Sequence, residues 1–245
     1  MKQIFLGVVL LFVSSIAEAN INADISPRFS TSDKLEVERG EILVRPISVT
    51  ENGYLFSGKA FFPHLDKELL SVMQNYERYP EFMQVHGSSG LIELEDQILN
   101  AKIFDNRINP LTLLGEIDYQ LEVFVKLSFI GFSIQEYHFT GDFSASYQQA
   151  EDGTIIVHGS LVNPNQDVWE KIHGLTHYWE IFPTAQGTYV YYENAVVFAY
   201  PLTEPGPWDF FKPSLETQKQ IIRETVAEKI QKAIQNFKEE LKRRF

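Results

Sequence analysis

Near the C-terminus, apolar residues recur at Ile222, Val226, Ile230, Ala233, Ile234, Phe237 and Leu241, in steps of three and four. That spacing predicts one apolar stripe on a helix over residues 214–245, with Lys219, Arg223, Lys229, Lys232 and Lys238 off it. Ser214, after a proline, is placed to cap the first turn, Glu216 sits at the positive end of the dipole, and Lys242, Arg243 and Arg244 at the negative end. About 28 residues at 1.5 Å each make a rod of roughly 42 Å. Propensity alone does not hold such a rod in water, so the stripe must lie on a partner within the chain. A coiled-coil seam would need Leu or Ile at every core position, and the stripe lacks that.

Upstream, the period changes to two. Residues 41–49 and 54–62 read as strands around a Glu51-Asn52-Gly53 turn, with Pro46 confined to an edge or a bulge. Leu65, Leu69, Leu70 and Met73 predict a helix over 66–76, and a second short helical piece follows at 79–83. Residues 85–94, 97–107, 115–129, 132–147, 154–162, 176–182 and 188–200 carry alternation or dense β-branched and aromatic content. Turn signals separate them at Asn109-Pro110, Gly131, Glu151-Asp152-Gly153, Asn163-Pro164-Asn165 and Gln186-Gly187. Strands with segregated helices predict an α+β fold built on an antiparallel sheet. A strongly curved sheet would grip the terminal helix and leave space at one end, where small-molecule sites form.

The front of the chain differs. Lys2, an apolar run over 4–13 and Ala17-Glu18-Ala19 form the pattern of a signal peptide over 1–19, cleaved after Ala19. A flexible polar lead-in over 20–34 and one domain over 35–245 are expected to follow. The leader pattern predicts export to a bacterial periplasm or outside the cell. The 245 residues are 44% hydrophobic and contain no cysteine, so the core rather than disulfides must hold the exported domain. A formal net charge of −12 argues against a nucleic-acid partner and against docking on anionic lipid by charge alone.

Candidate chemistry is sparse. His173 and His177 are four apart, but Gly174 follows the first and the segment reads as a strand, so neither a metal nor a cofactor is expected. Glu93, Glu95 and Asp96, or Asp118 and Glu122, read as the solvated face of a strand rather than an acid–base pair. No Gly-x-Ser-x-Gly elbow or glycine-rich phosphate loop occurs, and no residue is assigned a catalytic role. Aromatics are abundant, with 19 Phe, 11 Tyr and 3 Trp. The candidates for a cavity wall are Tyr119, Phe124, Tyr137, Phe139, Trp179 and Tyr191 on strands and Ile222, Val226 and Ile230 on the helix. Trp208 and Phe211 lie in a proline-rich loop over 203–213, readable as a packed plug, as a lid, or as a transient contact with a membrane or protein.

The stretch Tyr76-Glu77-Arg78-Tyr79-Pro80-Glu81-Phe82-Met83, followed by Val85 and Ser88-Ser89, resembles the region after the first helix in START-like (SRPBCC) proteins. Trp179-Glu180-Ile181, the turn at Gln186-Gly187-Thr188, Tyr189-Val190-Tyr191-Tyr192 and the final helix extend the resemblance over about 36–237. Gln84 departs from it, standing where many relatives have proline. The resemblance, closest to the polyketide cyclase/dehydratase-like and coenzyme-Q-binding branches, implies a helix-grip fold with a hydrophobic cavity between sheet and helix. The expected function is binding or carrying a hydrophobic small molecule, such as a lipid or isoprenoid. The alternatives are an enzyme of cyclase, dehydratase or hydrolase type, and an interaction module with a filled core.

Overall fold

The structure is a computed structural model that describes residues 25, 27–90, 92–129, 132–164, 172–199 and 214–245. Its centre is a nine-stranded antiparallel sheet. The strands are β1 (Leu43–Val49), β2 (Gly53–Phe62), β3 (Gln84–Ser89), β4 (Ile92–Asn106), β5 (Gly115–Phe129), β6 (Phe132–Gln149), β7 (Ile155–Pro164), β8 (Ile172–Thr184) and β9 (Gly187–Phe198). Their order in the sheet is β1-β2-β9-β8-β7-β6-β5-β4-β3, so β1 and β3 are the edges. Pro46 lies on edge strand β1, where the register slips between Pro46 and Ser48, so its missing N–H costs no central ladder bond. Further irregularities at Leu99 and Phe104 of β4 bend the sheet where it curls.

The sheet wraps around α4 (Leu215–Arg244). Ser214 caps this helix as the sequence predicts, its hydroxyl accepting from the Thr217 N–H at 3.2 Å. Val226, Ile230, Ile234, Phe237 and Leu241 of the stripe are all buried, each contributing about 2 kcal/mol through apolar burial. The helix bridges the two edges. On the β3 side, Ser88 donates to Glu228 from its N–H (2.8 Å) and hydroxyl (3.0 Å), and Asn236 donates to the Gln84 carbonyl at 3.0 Å. On the β1 side, Gln231 donates to the Ile42 carbonyl at 3.1 Å. Joining both edges to one helix closes an open sheet without strand pairing.

α2 (Asp66–Met73), a 3₁₀ turn (Tyr76–Arg78) and α3 (Tyr79–Phe82) cap one end of the wrap. The helix expected over 66–76 therefore stops at Met73 and tightens. The strand expected over 85–94 is in fact two, because the chain turns after Ser89 at Gly90, whose φ is +59°. No break falls at Asp96, which lies within β4.

The stretch read as a flexible lead-in is packed at Ile25, Phe29 and Asp33. Ser30 and Asp33 form a capping box that starts α1 (Thr31–Glu38). Ile25, Phe29 and Val37 cover Phe182, Tyr189 and Tyr191 on the outer face of the sheet. Arg28 grips Glu180 through two bonds of 2.6 and 2.8 Å, and Asp33 meets Lys59 at 2.8 Å. The alternation that buries Val190 inside leaves Tyr189 and Tyr191 outside, and α1 hides them.

Candidate ligand site between the sheet and the terminal helix

The concave face is filled at one end and incompletely covered at the other. At the capped end, Tyr119 stacks on Tyr76 with centroids 3.7 Å apart and on Phe143 at 5.5 Å. The Tyr76 and Tyr147 hydroxyls share a hydrogen bond of 2.7 Å, and the Tyr79 hydroxyl donates to the Met73 carbonyl at 2.6 Å. Phe237 of α4 packs against Tyr79, Phe82 and Trp179 at 5.8, 5.6 and 5.9 Å. Burial pushes the Tyr76, Tyr79, Tyr119 and Tyr147 hydroxyls far above their ordinary pKa, so all stay neutral. This end is core.

Toward the N-terminal turns of α4 the same face changes character. After the buried Tyr119, the inward positions of β5 are Leu121, Val123 and Val125, all only half-buried. Phe139 on β6, Leu161 on β7, Leu175 and His177 on β8, Asn194 and Tyr192 on β9, and Tyr54 on β2 are likewise inward and half-buried. Ile222 of α4 faces them in the same condition, next to the buried Val226. Apolar side chains that point inward yet keep accessible surface line a recess rather than a packed interior. Beside the same N-terminal turns of α4, an open groove of about 600 Å³ separates Ser89, Gly90 and Ile92 from Thr217, Gln220 and Ile221.

Polar groups enter this apolar wall at few points. His177 lies across β7, its ring seated over Gly159, where a Cβ would stand 2.0 Å from Nε2. Only glycine admits the ring there. Burial, helped by His158, lowers the His177 pKa to about 4, so the imidazole is neutral at pH 7. It makes no hydrogen bond with any described residue, although Asn194 is its partner across the ladder. Burial also pushes the Tyr54 and Tyr192 hydroxyls far upward. Asp96 pairs with Lys229 of α4, and its other oxygen, Oδ1, is buried without a partner among the described residues.

The residues singled out from sequence divide accordingly. Tyr119, Trp179, Val226 and Ile230 are buried in the main core, and Phe139 and Ile222 line the half-covered end. Tyr137 pairs with Val125 across the β5–β6 ladder. Phe124 lies on the other face, its ring 4.9 Å from His138, and so cannot reach the recess. Tyr191 is also on the outer face, beneath the Arg28 guanidinium at 4.3 Å and donating to Glu193 at 2.5 Å. Trp208 and Phe211 lie outside the described residues. Sequence reasoning weighed His177 only as half of a metal pair and missed it as a lining residue, and it did not single out Asn194, Tyr192 or Tyr54 for the wall. His173 and His177 sit on one strand, where four residues span about 13 Å, too far for shared coordination. Among the described residues, no three His, Asp or Glu side chains are grouped to hold a metal.

The sequence matches no protein-family model and no curated protein. By structure, the chain is similar to the STAR-related lipid transfer protein of Xanthomonas axonopodis, with 14% identity and a TM-score of 0.51, over 82% of this chain and 92% of that one. The fold is START-like. The chain is also similar to human STARD10 (8% identity, TM-score 0.48, 83% of this chain and 70% of that one). A further likeness is to the Zhui aromatase/cyclase from Streptomyces sp. R1128 (9% identity, TM-score 0.46, 82% and 96%). At 14% identity the likeness to the Xanthomonas protein speaks to the fold alone and leaves function to the site itself.

Proposed function

We propose that the chain is an exported carrier or sensor that holds a hydrophobic small molecule or lipid between the sheet and α4. The observation that carries this reading is the contrast along one face, fully packed at Tyr119 and half-covered from Leu121 to Val125. The lipid-transfer description of the Xanthomonas protein of the same fold supports the ligand class. The leader pattern over 1–19 supports export. A ligand losing roughly 300 Å² of apolar surface would gain about 7.5 kcal/mol before the entropic cost of association. Native mass spectrometry of the protein from its own envelope, followed by organic extraction, tests the reading. A defined apolar adduct is expected, reduced in Leu161→Trp without loss of circular dichroism. An apo mass unchanged by added lipids rejects it.

His177 favours a second reading, an enzyme of cyclase, dehydratase or hydrolase type. A neutral imidazole facing an apolar recess with unbonded nitrogens can exchange a proton with a bound molecule. His177→Leu separates the two. The carrier keeps its adduct, whereas the enzyme loses turnover of any substrate found by screening.

A further inference from the structure

A second recess, of about 340 Å³, lies away from the groove at Ser89 and Thr217, between the end of α1, the loop after β2 and the C-terminal half of α4. Val37, Phe61 and Pro63 give it an apolar base, and Arg39, His64, Lys238 and Lys242 bring four basic side chains to it. In a chain of net charge −12 that concentration of one sign calls for a cause.

Lys238 is the informative member. It is 8% exposed, and its Nζ has one hydrogen bond, to the Gly40 carbonyl at 3.3 Å, and stands 5.7 Å from the Phe62 ring centroid. Among the described residues no carboxylate lies within ion-pair distance of Lys238, Lys242 or Arg39. Glu38 also lines the recess, but its carboxylate accepts the Tyr189 hydroxyl. Glu240 is engaged by Arg243 and Arg244. A covered ammonium without a counter-charge is costly, and a cationic neighbour raises that cost. Burial first, and Lys242 second, pull the Lys238 pKa below its ordinary value. His64 adds an independent sign: its Nδ1 is buried with no partner among the described residues. Two unused donors on Lys238, an orphaned imidazole nitrogen and two exposed cations thus border one space.

We infer that this recess binds a small dianionic oxyanion of the phosphate-monoester type, with Lys238 at its base and Arg39, Lys242 and His64 around it. A doubly charged tetrahedral group supplies the missing counter-charge and enough acceptors for several donors. The group belongs either to a soluble phosphate ester or to the exposed headgroup of an anionic phospholipid.

Inorganic phosphate, titrated against chloride at matched ionic strength, is the first probe. The wild-type melting temperature should rise by about 3–6 °C at ten times the Kd. Lys238→Met should melt at or above the wild-type value without phosphate and lose the response. Lys242→Ala, at an exposed position, should fold normally and bind several-fold more weakly. A flat wild-type titration, or an equal response in Lys238→Met, overturns the site. Glycerol phosphate and phosphatidylcholine vesicles with and without phosphatidate then distinguish the sources. A Lys238-dependent response to glycerol phosphate alone assigns a soluble ester, and Lys238-dependent co-flotation with phosphatidate assigns a headgroup. The absence of both responses overturns the proposal.

Discussion

At Gly87 the backbone of α4 lies directly on the sheet. A Cβ at that position would stand 2.0 Å from the Thr225 carbonyl oxygen, 2.8 Å from its carbon and 3.0 Å from its Cα. All three are helix backbone, so no side-chain rotation relieves the contact. In Gly87→Ala the oxygen must retreat by about 1.3 Å, the distance to ordinary contact, and a stiff helix carries its neighbours with it. The bonds from Ser88 to Glu228 and from Ser89 to Glu224 lengthen in consequence. Overpacking of a core costs about 1–3 kcal/mol, and backbone obstruction together with strained seam bonds puts this case at about 3 kcal/mol. Urea unfolding followed by circular dichroism reads that as a midpoint lowered by about 1 M. Gly174→Ala is the matched control, because its Cβ would meet only Val197 side-chain atoms at 3.6 and 3.7 Å. It should stay within about 0.5 kcal/mol of wild type. Because α4 roofs the recess, Gly87→Ala should also reduce any apolar adduct. Gly87→Ala as stable as Gly174→Ala would refute the seating of α4 on β3.

Asp33 ties α1 to the sheet. Burial works to raise its pKa, but the Lys59 hydrogen bond and those from Ser30 outweigh burial and leave it at about 2 rather than 3.8. A depressed folded-state pKa means stability that is present above about pH 4 and lost as pH falls toward 2. Asp33→Asn should therefore cost about 2 kcal/mol at pH 6, with the deficit shrinking over that window. A deficit independent of pH in melting curves would contradict this. In the core, Tyr76→Phe strands the Tyr147 hydroxyl and should cost about 1–3 kcal/mol. Tyr76→Phe/Tyr147→Phe should cost less than the sum of its single changes, and strict additivity in urea unfolding would deny the shared bond.

Much of the architecture was legible because local physics writes it locally. The α4 stripe, Ser214 before it and the basic end after it are properties of adjacent residues, and the helix ends where they indicate. The bounds of β5 were read from the turn signals at Asn109-Pro110 and Gly131 and agree with the structure. The β3–β4 turn was misplaced because alternation runs on through it. The break expected between residues 94 and 97 falls inside β4, while the turn itself begins with one glycine of positive φ. The order of α1 was missed because an eight-residue helix without an apolar stripe owes its position to tertiary contacts, namely Phe29 under the sheet and Arg28 on Glu180.

The sequence by itself determined the class of fold and the helix that must be gripped, since both depend on spacing along the chain. Which aromatics face the ligand was decided only in three dimensions. Alternation assigns neighbours such as Tyr191 and Tyr192 to opposite faces but does not say which face is concave, and Phe124 and Phe139, on different strands, are set on opposite faces only by the ladder register. That follows from the curl of the sheet around α4, the register that seats His177 over Gly159, and the cover that α1 gives the outer face. Half-burial, the property that marks the recess, belongs to no residue alone, because it measures what the rest of the chain leaves uncovered.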